Sequence, residues 1–112
     1  TLYIDRAQIE QVLINLIKNA KESCGQNTAP QIEVELEQVP GKVCSLTVRD
    51  NGEGILPEVI DKVFVPFFTT KPSGSGIGLS LCKQIMNLHG GTITVSSEIG
   101  KGSCFTLMFP GR

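Results

Sequence analysis

Three glycines spaced two residues apart are the strongest chemical signal in the sequence. Gly74, Gly76 and Gly78 lead directly into a segment that has helical apolar periodicity from Leu81 to Met86. Glycines let backbone N–H groups approach an anion, and the first turn of a following helix offers unpaired N–H groups at the positive end of its dipole. The pattern is typical of a phosphate-binding loop, although a hinge or turn has the same composition. Its spacing matches neither a P-loop nor the dinucleotide-binding fingerprint.

Two asparagines, Asn15 and Asn19, lie four residues apart in a segment with helical periodicity. That spacing puts both amides on one side of the helix, at the border of its apolar arc. Amides at this border either bond buried backbone groups or face a pocket, unless they are simply exposed polar positions. Amide oxygens are suitable ligands for Mg²⁺ beside phosphate oxygens.

An acidic residue followed by two glycines ends a predicted strand, in the run Asp50-Asn51-Gly52-Glu53-Gly54-Ile55. A carboxylate at the end of a strand can accept a hydrogen bond from an exocyclic amine, and the glycines let a flat ring approach the backbone. The alternative is a simple turn, because Asn-Gly is a strong turn signal.

Composition and charge narrow the function classes. The chain has 112 residues, 40% of them apolar, and a net charge of −1 with acids and bases interspersed. This predicts one domain with a real core, and it favours neither a nucleic-acid partner nor direct membrane contact. The four cysteines are scattered and lie within or beside apolar patterns (Cys24, Cys44, Cys82, Cys104). We interpret them as small buried hydrophobes of a reducing compartment. We interpret His89, the only histidine, as a structural residue near a helix C-terminus that points toward the core.

The apolar periodicity predicts an α+β fold. Asp5 and Gln8 resemble a capping box before a helix over 6–23, and two antiparallel strands, each with one buried face, follow around 32–36 and 44–48. A short helix over 57–63, a long and mobile loop over 64–77, a helix over 78–89 and a hairpin over 93–109 complete the pattern. The expected architecture is a two-layer α/β sandwich, with a mixed, mostly antiparallel sheet covered on one face by about three helices.

Four segments in order resemble the N, G1, F and G2 boxes of the ATP-binding catalytic domain of sensor histidine kinases, which belongs with gyrase, Hsp90 and MutL to one ATPase superfamily with the Bergerat fold. They are Asn15-x-x-x-Asn19-Ala20, Asp50-x-Gly52-x-Gly54-Ile55, Phe64-x-x-Phe67-Phe68-Thr69-Thr70-Lys71 and Gly74-x-Gly76-x-Gly78-Leu79. The resemblance covers roughly residues 5 to 110.

The resemblance implies a role for each box. Asp50 would accept the adenine amino group, with Gly52, Gly54 and Ile55 shaping the base pocket. Asn19 would hold Mg²⁺, and Asn15 would help to ligate it or position the phosphates. The remaining nucleotide-binding residues would belong to the ATP lid (Thr69, Thr70, Lys71, Gly74, Gly76, Gly78, Leu79). Phe67 and Phe68 would anchor that lid on the core or on a partner domain. Glu22 stands where many relatives carry a basic residue, which leaves Lys18 or Lys71 to supply positive charge.

The implied function is phosphoryl transfer from Mg·ATP, with Asn15, Asn19 and Lys71 as the catalytic residues. The acceptor would be a histidine on a separate dimerisation domain of the same kinase, and a response regulator would act downstream. We expect a single cytoplasmic domain excised from a longer kinase, whose parent can be membrane-anchored. The alternatives are a degenerate interaction module of the same superfamily and a serine kinase.

Overall fold

The computed structural model describes residues 5–25, 29–38, 43–68 and 78–110. Within these ranges the helices and strands are α1 (Arg6–Ser23), β1 (Ile32–Gln38), β2 (Val43–Asp50), α2 (Pro57–Ile60), α3 (Gly78–Leu88), β3 (Thr92–Glu98) and β4 (Gly102–Pro110). The described strands form one antiparallel sheet in the order β1-β2-β4-β3. The predicted α+β fold is confirmed, although α2 ends at Ile60 and turns replace its predicted last residues.

Helix α1 follows its predicted bounds because its cap and its apolar stripe agree. The Asp5 carboxylate accepts a hydrogen bond from the Gln8 N–H at 3.1 Å and so satisfies one of the unpaired amides of the first turn. The buried stripe consists of Ile9, Val12, Leu16 and Ala20, spaced three and four residues apart as one helix face requires.

The core lies between the helices and one face of the sheet. Its largest fully buried side chains are Phe105, Leu16, Met86, Leu107, Val12, Val48 and Cys82. The predicted buried face of β1 is wrong, since Val34 and Leu36 are 52% and 64% exposed. In the described part of the chain β1 is an edge strand, and α1 and α3 lie mainly over β2 and β3 and cover little of it.

Polar contacts join helices α1 and α3 at the start of α1 and in its middle. The Asp5 N–H donates to Nε2 of His89 at 2.9 Å, and the other ring nitrogen, Nδ1, donates to the Ile85 carbonyl at 2.8 Å. The Cys82 thiol contacts the Val12 carbonyl at 3.8 Å. Burial raises the pKa of this thiol to about 11. His89 is therefore structural, as predicted, but its half-buried ring bridges two helices instead of filling the core.

Within the described residues, no helix has the length and apolar character that crossing a membrane requires. Cys24, Cys44 and Cys82 are buried free thiols, as predicted, and Cys104 is a half-buried one on the sheet face opposite the helices.

Candidate functional site

Asp50 is a nearly buried carboxylate at the end of β2. Its residue is 7% exposed, and Oδ1 accepts a hydrogen bond from the Gly52 N–H at 2.9 Å. No fully buried side-chain oxygen of the described residues lacks a hydrogen-bond partner. Within the described residues, the Asp50 carboxylate accepts only the hydrogen bond from Gly52, through Oδ1. Oδ2 is therefore not fully buried, and it retains access to solvent or to a ligand. The site thus contains a charged acceptor whose position is fixed through its other oxygen.

The loop after Asp50 is held at its start by the side chain of Asn51. Its Oδ1 accepts from the Gln31 N–H at 2.8 Å, and its Nδ2 donates to the Ala29 carbonyl at 2.9 Å. The sequence suggested a turn residue here. In the structure, the side-chain amide of Asn51 instead bonds the backbone of the residues that precede β1, as a backbone amide would.

The two glycines of this loop allow close contacts with protein backbone. A Cβ on Gly52 would lie 2.5 Å from the Ser23 carbonyl oxygen at the end of α1, and the next amide, Glu53 N–H, donates to that oxygen at 3.1 Å. Gly54 has a φ of +80°, and a Cβ there would overlap the Glu98 carbonyl. These structural reasons were not foreseen from the sequence. The predicted contact of both glycines with a base stays a prediction.

The end of the loop is bonded to β3 and to the turn between β3 and β4. The Ile55 N–H donates to Oγ of Ser97 at 2.7 Å, and the Gly100 N–H donates to the Glu53 carbonyl at 3.0 Å. Ser97 also lies 3.0 Å from the hydroxyl of Ser103, which is 4% exposed. The sequence analysis missed both serines. The signal that could have found them is a hydroxyl at a core-facing position of an alternating strand.

The two asparagines of α1 are half-buried, as the helical spacing predicted. Asn15 lies against the start of α3: its Nδ2 donates to the Gly78 carbonyl at 3.4 Å, and its Oδ1 accepts from Nε2 of Gln11 at 3.1 Å. The structure therefore brings the first asparagine to the residue at which the glycine-rich segment becomes helix. Asn19 lies one turn further along the same helix.

Several predicted site residues lie outside the described residues, namely Thr69, Thr70, Lys71, Gly74 and Gly76. Of the others, Gly78, Leu79 and Ile55 are half-buried, and Leu79 and Ile55 pack against the core. Lys18 and Glu22 are exposed on α1.

The three phenylalanines of the third predicted box have different environments. Phe64 packs edge-on against Phe105, with ring centroids 6.2 Å apart, and Nζ of Lys83 lies 5.5 Å from its ring centre. Phe67 is 74% exposed and has a φ of 69°. Phe64 thus packs against the core, whereas Phe67 is mostly exposed and Phe68 is half-buried. The anchoring roles of Phe67 and Phe68 stay predictions.

The described residues contain no cluster of three or more His, Cys, Asp or Glu side chains suited to a metal ion. A divalent cation here would be held by amide oxygens such as those of Asn15 and Asn19, together with oxygens of a ligand. Amide oxygens suit Mg²⁺, which commonly keeps few protein ligands when it binds with phosphates.

The chain is similar to sensor histidine kinases in sequence and in fold. Over 106 residues the chain is 41% identical to the sensor histidine kinase ZraS of Escherichia coli strain K12, an alignment that covers 95% of this chain and 22% of ZraS. It superposes on a catalytic domain of the histidine kinase ThkA with a TM-score of 0.85 and 37% identity, over 98% of this chain and 71% of that one. It also superposes on full-length ShkA in complex with AMPPNP, with a TM-score of 0.83 and 26% identity, over 96% of this chain and 22% of that one.

The fold is therefore that of histidine kinase catalytic domains. The chain belongs to the histidine kinase-, DNA gyrase B- and HSP90-like ATPase family, whose model matches residues 4–112. It spans about a fifth of the length of relatives such as ZraS, 22% in that case.

Proposed function

We propose that this chain is a cytoplasmic domain that binds Mg·ATP and donates the γ-phosphoryl group to a histidine on a separate dimerisation domain of the same kinase, upstream of a response regulator. The observation that carries the proposal is the Asp50 carboxylate, which is 7% exposed and bonded through Oδ1 to the loop that follows it. A fixed anionic acceptor with one accessible oxygen is suited to the exocyclic amine of adenine. The ShkA complex with AMPPNP, an ATP analogue, supports a nucleotide in this fold.

Asn15, Asn19 and the start of α3 form the phosphate side of the proposed site. Nδ2 of Asn15 donates to the carbonyl of Gly78, the first residue of α3, at 3.4 Å. Asn19 would hold Mg²⁺, with Asn15 assisting or positioning the phosphates, and the ion would supply charge neutralisation during transfer. Lys71 and the glycine-rich segment would complete this side.

The phosphoryl acceptor belongs outside this chain. His89 is the only histidine, and both of its ring nitrogens are engaged, by Asp5 and by Ile85. An imidazole held in this way has no free lone pair for attack. ZraS, of which this chain matches 22%, is a sensor histidine kinase and has ample length for a further domain.

The decisive experiment mixes the purified chain with the dimerisation domain of its parent kinase and γ-labelled ATP. We expect acid-labile label on the dimerisation domain and none on the chain alone, because the nucleophile comes from the partner. Asn19→Ala should abolish the transfer. Lys21→Ala, a change at an exposed position two residues further along α1, should leave the transfer unchanged. Acid-stable label on a serine would support the serine kinase. Nucleotide binding by the chain, together with failure of the intact parent kinase to label its own dimerisation domain, would contradict transfer by this chain and favour the interaction module.

A further inference from the structure

Ser97 of β3 has a hydroxyl group that is fully used in hydrogen bonds to the loop after Asp50 and to two adjacent residues of β4. It accepts from the Ile55 N–H at 2.7 Å, and it donates to the Gly102 carbonyl at 2.9 Å, since that oxygen can only accept. Its second lone pair accepts from the hydroxyl of Ser103 at 3.0 Å. A serine hydroxyl has one proton and two lone pairs, so this arrangement leaves none unused.

This hydroxyl is the side-chain anchor for the far end of the loop that carries Asp50. The loop over 51–55 has no regular secondary structure. Its start is held by Asn51 and its middle by backbone contacts with Ser23 and Gly100, but the Ile55 N–H is bonded to Ser97 alone among these anchors. Losing Ser97 would leave that half-buried N–H without its partner, and the loop would sample other conformations.

We propose that Ser97 is a positioning residue for the base of the nucleotide, which it would order by fixing Ile55 and the loop that follows Asp50. The inference rests on the proposed function. Ser97 need not touch the ligand, because a loop that is ordered before binding spares the ligand the cost of ordering it. Since the loop would contact the base and not the phosphates, the effect should be the same for nucleotides that differ only in phosphate number.

The test compares Ser97→Ala with Ser96→Ala, a change at the neighbouring exposed serine on the opposite face of β3. By calorimetry, Ser97→Ala should weaken Mg·ADP and Mg·ATP binding by the same factor, about 5- to 20-fold, as expected for one lost hydrogen bond. Ser96→Ala should bind as the wild type does, and Ser97→Thr, which keeps the hydroxyl, should restore binding. Hydrogen exchange of the Ile55 amide should quicken in Ser97→Ala alone. If this variant does not fold, Ser97→Cys keeps the shape of the side chain in a slightly larger group that is a much weaker acceptor, and it should show the same loss.

A folded Ser97→Ala variant that binds Mg·ADP within about twofold of the wild type would overturn the inference, as would an equal loss in Ser96→Ala. A wild-type chain that binds neither nucleotide would instead refute the proposed function, and the inference with it. The wild-type titration therefore distinguishes the two failures.

Discussion

Replacing Asp50 by asparagine separates the binding role of this carboxylate from its structural role. In the structure Oδ1 accepts from the buried Gly52 N–H at 2.9 Å, while Oδ2 remains accessible. Asparagine keeps an oxygen for the Gly52 N–H and places an NH₂ group where Oδ2 was. That group is a donor and would face the donor amine of adenine. Binding should therefore fall although the loop stays folded.

The magnitudes follow from the two hydrogen bonds. A hydrogen bond to a charged acceptor contributes about 1.5–3 kcal/mol, so Asp50→Asn should weaken the binding of Mg·ADP about 10- to 150-fold. Its free energy of unfolding should change by less than about 1 kcal/mol, because the bond to Gly52 survives. Asp50→Ala loses both bonds and leaves the buried Gly52 N–H unpaired, so it should bind as weakly and also lose about 1–3 kcal/mol of stability.

Calorimetry with Mg·ADP and Mg·GDP, together with urea unfolding of both variants, measures these quantities. Asp50→Asn should also narrow the preference for ADP over GDP, since its NH₂ group can donate to the guanine carbonyl. An Asp50→Asn variant that binds Mg·ADP within about twofold of the wild type would refute the reasoning and remove Asp50 from the base pocket.

Three further changes test the framework around the site. Because burial raises the pKa of Cys82 to about 11, it is mainly the unfolded thiol that ionises between about pH 9 and 11, and the free energy of unfolding should fall over this range by about 2–3 kcal/mol. Urea unfolding of Cys82→Ala should show a flatter pH dependence, and an unchanged slope would contradict this. His89→Ala removes the partners of two backbone groups and should cost about 1–3 kcal/mol, whereas Leu88→Ala at a residue that is 72% exposed should cost under about 0.5 kcal/mol. Gly54 and Gly100 have similar φ values of +80° and +82°, but of these two only Gly100 has open space for a Cβ. Gly100→Ala should lower the free energy of unfolding by about 1 kcal/mol, and Gly54→Ala should lower it clearly more. Equal losses in urea unfolding would show that the tight contact at Gly54 relaxes freely.

Local patterns predicted the fold well wherever burial followed sequence spacing. The bounds of α1 agree with its capping residue and its apolar stripe, and the strands follow the alternation of apolar and polar residues. The prediction of a buried face was wrong for β1, although its apolar and polar residues alternate as they do in a half-buried strand. Val34 and Leu36 are exposed because the helices do not extend over this edge of the sheet. Which strand lies at an edge depends on strand order, and alternation carries no information about strand order.

The candidate site likewise contains residues that the sequence indicates and residues that it does not. Asp50, Asn15 and Asn19 could be selected from the sequence because the type of each side chain suggests its chemistry. The roles of Asn51 and Ser97 in holding the loop could not be assigned in this way, because the partners concerned are backbone groups distant in the sequence; 42 residues separate Ser97 from Ile55. Every residue has a backbone carbonyl, and every residue except proline has a backbone N–H. A hydrogen bond from a side chain to one of these groups therefore leaves no recognisable pair of residue types in the sequence.

Helix α1 connects the two halves of the proposed site. Near its end, the Ser23 carbonyl contacts the loop that follows Asp50, and within the helix Asn15 contacts the start of α3. Eight residues separate these two attachment points, which corresponds to about 12 Å of helix. Because Val12 and Leu16 are fully buried against the core, this helix cannot shift without opening the packing. The spacing between the base side and the phosphate side is thus set by one rigid element, and each side is adjusted by its own anchors, Ser97 and Asn15.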